Sequence, residues 1–106
     1  MTHHSVPEVA RTMAIDPLER IRSAVLDQRY ALSEHAYEEM DADNLDALDV
    51  EAAILSGEIE QTLTDDPQGT RYVVVGTACD EQTPVAVVVR FVQRDQLLVI
   101  TVYEIN

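Results

Sequence analysis

Three residues in this 106-residue chain have side chains suited to catalysis. His35 carries an imidazole that could act as a general acid or base. Arg71 could hold a carboxylate or a phosphate through paired hydrogen bonds, and the Tyr103 hydroxyl could transfer a proton. If a sheet edge approaches the helix that carries His35, the three form a candidate catalytic set. Each also has a structural alternative, which is ring packing for His35, an internal salt bridge for Arg71 and sheet packing for Tyr103.

Four aspartates near the middle of the chain are candidate metal ligands. Carboxylates at such spacing could hold Ca²⁺ or Mg²⁺ loosely, but the segment lacks the glycine and the closing glutamate of an EF-hand loop. Helix capping by Asp46 and Asp49 accounts for two of the four, the others being Asp41 and Asp43. The sequence has no phosphate-binding glycine-rich loop and no zinc pattern, so we expect no metal and no cofactor.

The single cysteine, Cys79, has no partner for an internal disulfide, which fits a reducing compartment. Its acidic neighbours Asp80 and Glu81 disfavour the thiolate, so a nucleophilic role is not expected. The sequence shows neither a signal peptide nor an apolar run long enough to span a membrane. We therefore expect a cytoplasmic protein that does not bind membranes.

Charge is the strongest compositional signal, with 20 Asp and Glu against seven basic residues, and a formal net charge of −13. Every basic residue is an arginine. Such a field repels phosphate backbones, whereas nucleic-acid-binding proteins need a basic surface. Nucleic acid is therefore not an expected partner. The acidity indicates either a solvated surface or one that steers a basic protein toward the domain.

The elements that must position these residues follow from capping signals and periodicity. Residues 1–15 lack a clean period and are predicted to be a flexible arm, whereas residues 16–106 are predicted to form one domain. Helix starts are indicated by Asp16 before Pro17, by Ser33, and by Asp46 with Asp49 three residues later. The predicted helices span residues 17–28, 34–41 and 47–56. Gly57 is expected to end the third one in a left-handed conformation.

Beyond Gly57 the period becomes that of strands, rich in Val, Ile, Thr and Tyr and separated by short turns. The predicted strands are Glu58–Leu63, Arg71–Thr77, Val85–Gln93 and Gln96–Glu104. The fold class is therefore α+β, with three N-terminal helices packed on a four-stranded antiparallel meander sheet.

The third predicted strand is apolar on both faces, although three short helices can cover only one. The second face carries Ala86, Val88, Arg90 and Val92. Exposed apolar patches of this kind mark interfaces, so these four residues are the candidate interface. The expected cover for part of this face is either the N-terminal arm of the same chain or a second protein chain. That second chain is a protein partner or another copy, most simply in a homodimer.

From Ser33 onward the chain resembles a bacterial domain of unknown function, family 4258, which is related to the BrnT toxins and so to the RelE-like fold. The residues that carry the resemblance are Ser33-Glu34-His35-Ala36 with Met40, Val50 to Ile54, Ser56-Gly57-Glu58-Ile59, Gly69, Tyr72 to Gly76, Val87-Val88-Val89 and Ile100 to Glu104. The resemblance implies a RelE/BrnT-like domain from a superfamily that includes ribonucleases paired with antitoxins.

The chain departs from this family where a ribonuclease would need basic groups. Family members usually carry an Arg directly before the Met of the second helix and another a few residues later, and these places are here Glu39 and Asp43 or Asn44. A His often found in the central strand is here Ala86. Such basic groups would stabilise the charge that develops on a phosphate under attack.

Two hypotheses for function follow. The favoured one is a non-catalytic protein-interaction module that diverged from toxin domains, which rests on the net charge, the missing basic residues and the second apolar face. The alternative, which rests on the resemblance, is an endoribonuclease toxin of a toxin–antitoxin pair. In that case His35, Arg71 and Tyr103 would be its catalytic residues.

Overall fold

Three helices and five strands make up residues 16–106, which are the residues that the computed structural model describes. The predicted N-terminal arm, residues 1–15, lies outside them. The helices are α1 (Pro17–Leu26), α2 (Glu34–Ala42) and α3 (Ala47–Ser56). The strands are β1 (Tyr30–Leu32), β2 (Glu58–Leu63), β3 (Arg71–Thr77), β4 (Pro84–Gln93) and β5 (Gln96–Glu104).

Each helix begins where its capping signal indicates. The Asp16 side chain accepts a hydrogen bond from the Leu18 N–H at 2.9 Å, and Ser33 Oγ accepts one from the Ala36 N–H at 3.0 Å. Asp46 and Asp49 form a reciprocal capping box at the start of α3. These bonds satisfy N–H groups that have no partner within a helix. The three predicted helix starts are therefore confirmed.

The sheet has the order β1-β5-β4-β3-β2, and β2 to β5 form the predicted antiparallel meander. The prediction of four strands was incomplete, because β1 adds a fifth that pairs parallel with β5. Backbone hydrogen bonds at its two ends fix this pairing, from the Leu97 N–H to the Arg29 carbonyl and from the Ser33 N–H to the Val99 carbonyl. A strand of three residues between two helices is too short to show a periodicity.

One face of the sheet, called here the inner face, packs against all three helices. Its buried strand residues are Val74, Val85, Val87, Val89, Leu97, Val99 and Val102. The helices contribute residues such as Ile21, Val50 and Ile54, whose side chains are fully buried. This core is made almost entirely of aliphatic side chains, and burial of each contributes roughly 1.5–3 kcal/mol.

The opposite face, called here the outer face, has none of the three described helices packed on it. Cross-strand partners share a face, so the register assigns its members. Three rows cross β3, β4 and β5: Arg71, Arg90 and Leu98; then Val73, Val88 and Thr101; then Val75, Ala86 and Tyr103. The middle of this face is therefore apolar, and its arginines lie in one end row.

The expectation of a left-handed Gly57 was wrong. Its φ of −96° and ψ of −176° are extended. Glycine is needed for a different reason, since a Cβ at this position would lie 2.4 Å from the Val75 carbonyl oxygen and 2.6 Å from that of Ala53. The end of α3 therefore lies directly on β3 without an intervening side chain.

Candidate functional site

Two arginines lie side by side at one end of the outer face, because Arg71 on β3 pairs with Arg90 on β4. The turn between β2 and β3 folds over them and places Asp66 Oδ2 at 3.2 Å from Arg71 Nε and 3.7 Å from Arg90 Nη1. Asp65 Oδ1 lies 3.8 Å from Arg71 Nη2. These contacts correspond to the structural alternative for Arg71, an internal salt bridge.

The Arg71 guanidinium is nevertheless not fully paired. Its Nε is buried and has no hydrogen-bond partner, because the Asp66 oxygen at 3.2 Å is not aligned with the N–H direction. Asp66 Oδ1 is already used, since it accepts the Gln68 N–H at 2.8 Å. An unpaired donor is therefore held at this end of the outer face.

His35 lies on α2, outside the sheet, with 60% of its side chain exposed. Its Nε2 lies 3.5 Å from the Glu39 Oε2 one turn later, so its nearest charged neighbour is a carboxylate of its own helix. Such exposed pairs contribute at most a few tenths of a kcal/mol. The expected ring packing for His35 is therefore not seen.

Tyr103 lies on the outer face opposite Ala86, and 41% of its surface is exposed. Arg90, the neighbour of Arg71, is four residues from Ala86 along β4, which corresponds to about 13 Å. Arg71 and Tyr103 thus share a face but lie in its two end rows, whereas His35 lies on a helix. The structure does not bring the three candidate catalytic residues together.

The four candidate interface residues of β4 differ in what they offer a partner. Ala86 is 1% exposed, so it adds almost no contact area of its own. Val88 lies in the middle row and is half-buried, and Val92 at the end of the strand is 46% exposed. Arg90 is held under the β2–β3 turn, where its Cδ lies 3.5 Å from the position of a Cβ on Gly69.

The outer face also includes residues that the sequence prediction did not select. Val73 and Val75 on β3 and Leu98 on β5 flank Val88 and Arg90 in the register. Their alternation along β3 and β5 is visible in the sequence. Which strands are neighbours, and therefore that these side chains form one surface, follows only from the pairing.

Two acidic side chains, one on α2 and one on the residue directly after it, cover the free edge of β5 beyond the part that β1 pairs. Glu39 Oε1 accepts the Val102 N–H at 3.2 Å, and Asp43 Oδ2 accepts the Glu104 N–H at 2.9 Å. Unpaired edge groups are sites for unwanted strand pairing, and these carboxylates occupy two of them. Neither residue type nor spacing along the chain indicates this role.

Three of the four aspartates considered as metal ligands have other partners. Asp43 binds the β5 edge, while Asp46 and Asp49 cap α3. Asp49 also accepts the Cys79 N–H at 3.1 Å, and this bond, followed by that from the Asp46 N–H, lowers the pKa of Asp49. Within residues 16–106, no group of three or more His, Cys, Asp or Glu side chains is placed to hold a metal ion.

Cys79 lies exposed in the β3–β4 turn. Local desolvation, then the hydrogen bond and charge of Asp49, raise the pKa of its thiol. A raised pKa disfavours the reactive thiolate, in the direction that the acidic sequence neighbours indicated. None of the described helices is long and apolar enough to cross a membrane.

Comparison with known proteins places the chain in a family. The model of the family described as "Domain of unknown function (DUF4258)" matches residues 32–104. Neither the curated proteins nor the solved structures include a significant match. The family match runs from the end of β1 through β5 and includes the whole outer face of the meander. Since it spans more than half of the sequence, the chain is a member of the DUF4258 family.

Proposed function

We propose that this domain is a non-catalytic protein-interaction module, diverged from RelE/BrnT-like toxin domains, that binds its partner through the outer face of the sheet. The observation that carries the proposal is the contrast between the two faces. The inner face is covered by α1, α2 and α3, whereas the outer face presents the half-buried Val75, Val88 and Leu98 around a buried Val73, with no described helix over them. Apolar surface of this kind is typical of interaction sites.

The proposed divergence is supported by the roles of two acids. Glu39 stands where the resemblance leads one to expect an arginine, and Asp43 is, with Asn44, one of two candidates for the second such place. The carboxylates of Glu39 and Asp43 bind backbone N–H groups of β5. An arginine has no acceptor for an N–H group, so it could not make these bonds. The two positions are thus used for structure in this chain.

The ribonuclease alternative has weaker geometric support. It needs a general acid or base and a cation to reach the same phosphate. Arg71 and Tyr103 are in opposite end rows, and His35 is on α2. Arg71 also has Asp65 and Asp66 as neighbours, whose charges oppose the binding of a phosphate.

Site-specific photo-crosslinking in the native host tests whether a protein binds the outer face. A photoreactive phenylalanine analogue replaces Val92, which is exposed at the end of β4, and in a matched control replaces Leu48, which is 63% exposed on α3. We expect a discrete protein adduct from position 92 and none from position 48. Absence of an adduct at position 92, or equal adducts at both positions, would contradict the proposal.

Assays of RNA cleavage and of cell growth test the ribonuclease alternative directly. We expect no cleavage of a mixed RNA substrate by the purified chain and no growth arrest when it is expressed. Cleavage that is lost in His35→Ala or Arg71→Ala variants, with folding unchanged by circular dichroism, would favour the ribonuclease instead.

A further inference from the structure

We infer that the partner on the outer face is a second copy of this chain, packed sheet against sheet; this inference rests on the proposed function. The uneven distribution of acidic residues between the two sides of the domain supports this inference. Eleven of the 20 acidic residues lie between Asp16 and Glu51, in the segment that forms the helical layer. Among the strand residues that the register places on the outer face, Glu58 is the one acid, and Asp65 and Asp66 of the β2–β3 turn lie beside the two arginines of that face.

Two copies joined through their outer faces therefore keep their acidic layers apart. The two layers would be separated by both sheets, which amounts to about 30 Å. Repulsion over this distance is screened at physiological salt, where the Debye length is about 8 Å. A basic foreign protein, in contrast, would be attracted to the helical layer, since the acids of the outer face lie close to its own arginines, Arg71 and Arg90.

The charges on the outer face are also self-complementary. The arginines occupy one end row, and Glu58 pairs with Val75 in the opposite end row. A two-fold axis that runs across the strands near Val88 exchanges these rows and places Val88 next to its own copy. Such a contact is isologous, as in most dimers. It brings the Glu58 carboxylate of the partner copy toward the end row that holds Arg71 and Arg90, and the Arg71 side chain is 32% exposed.

The area of the outer face determines how strongly we expect two copies to bind each other. Five strands about 4.8 Å apart, each with about seven residues, give a face on the order of 500 Å² and a dimer interface of about 1,000 Å² in total. This area is at the lower limit for a specific complex, so we expect a reversible dimer with micromolar affinity.

Sedimentation equilibrium over a concentration series tests the inference. We expect the dissociation constant to fall when NaCl rises from about 10 mM to about 300 mM, because the Debye length then drops from about 30 Å to well below 10 Å. Val88→Glu is expected to raise the dissociation constant at least about thirtyfold. Val92→Glu, at an exposed position that tolerates polar residues, is expected to raise it as well, and Leu48→Glu on α3 is the matched control.

A charge-reversal pair tests the orientation of the two copies. Glu58→Arg would place a cation opposite the arginines of the partner copy and weaken the dimer, whereas Glu38→Arg, on an exposed position of α2, makes the same change in net charge without weakening it. Equal effects of the two substitutions would overturn the two-fold arrangement. If Val88→Glu unfolds the chain, as circular dichroism would show, Val92→Glu still tests self-association through the outer face and Glu58→Arg still tests the two-fold arrangement.

The failure of this inference is distinguishable from the failure of the proposed function. A chain that stays monomeric at millimolar concentration and 300 mM NaCl overturns self-association. If position 92 then crosslinks to a different protein, the module remains and its partner is foreign. If it crosslinks to nothing, both proposals fail.

Discussion

At the scale of single residues, glycines let the end of α3 pack closely on β3. Gly57 and Gly76 both lie against the Ala53 carbonyl oxygen, to which a Cβ would be 2.6 Å and 2.0 Å away, respectively. Real Cβ atoms do not approach an oxygen so closely, so any side chain here would move the helix away from the sheet.

We therefore expect Gly57→Ala to lower the free energy of unfolding by about 1–3 kcal/mol, the range typical of overpacking. Urea denaturation followed by circular dichroism measures this change. Gln61→Ala, at an exposed position of β2, is the control and should change stability by less than about 0.5 kcal/mol. An unchanged midpoint for Gly57→Ala would show that the helix end can shift freely.

Asp49 gives the domain a defined response to acid. Hydrogen bonds from the Cys79 and Asp46 N–H groups lower its pKa in the folded state from an ordinary value of 3.8. Below that ordinary value the unfolded state binds the proton more readily than the folded state, so stability falls as pH decreases. The contribution of Asp49 is therefore fully present above about pH 5 and is lost as pH falls through the lowered folded-state pKa.

The substitution Asp49→Asn should remove this part of the pH dependence. We expect the difference in unfolding free energy between the native chain and the variant to shrink between pH 5 and pH 2.5. Asp27→Asn, at an exposed residue after α1, serves for comparison and should leave the pH profile almost unchanged. A constant difference over this range would indicate that Asp49 contributes through geometry alone.

At the scale of elements, the two sides of the sheet end in different ways. Strand β2 is an edge strand with a register shift between Ile59 and Gln61, and such irregularities discourage pairing with other chains. On the other side, β1 covers only the first part of β5. The carboxylates of Glu39 and Asp43 then cover Val102 and Glu104.

Replacing both Glu39 and Asp43 by Ala should expose this edge. We expect a loss of roughly 1–2 kcal/mol in unfolding free energy, because water can replace part of each hydrogen bond. Hydrogen exchange should accelerate at the Val102 and Glu104 amides. The matched control is Glu38→Ala with Asp41→Ala, exposed acids of the same helix. Equal exchange in the two double variants would argue against the edge contacts.

The sequence predicts elements better than it predicts contacts. Capping signals and strand periodicity suffice for the starts of α1, α2 and α3 and for the four meander strands, because these are local properties. The strand at Tyr30–Leu32 was missed, since its pairing partner lies 67 positions away at Leu97. Leu32 and Tyr37, on either side of Ser33, have the spacing of a hydrophobic staple, which predicts that Tyr37 is buried. In the structure Tyr37 is 56% exposed on α2.

In the candidate site, too, the residues could be predicted from the sequence but their contacts could not. Arg71 and Tyr103 could be selected by residue type, yet their separation across the outer face follows from the register of three strands. Likewise, an apolar second face could be inferred from alternation along β4. The contact between Arg90 and the turn that contains Gly69 could not be inferred from the sequence, because it depends on the left-handed φ of +131° at that glycine.

At the scale of the whole molecule, the net charge of −13 should dominate encounters with polyanions. We expect no binding of a 20-nucleotide RNA or DNA at about 150 mM salt and micromolar protein, as measured by fluorescence anisotropy. The variant Asp65→Asn with Asp66→Asn, which frees the two arginines, is the informative comparison. Binding by the native chain that weakens steeply with added salt would contradict this expectation.

The parallel pairing of β1 with β5 has a consequence for the order of folding. The hairpins of the meander close over short turns, whereas β1 must wait for a strand that is made last and lies far along the chain. Closing such a long loop costs entropy before the pairing contributes any stability. The hairpins should therefore form the folding nucleus, and β1 should dock after the transition state. In a chevron analysis, Leu32→Ala is expected to speed unfolding and leave the folding rate nearly unchanged, whereas Val87→Ala in β4 should slow folding.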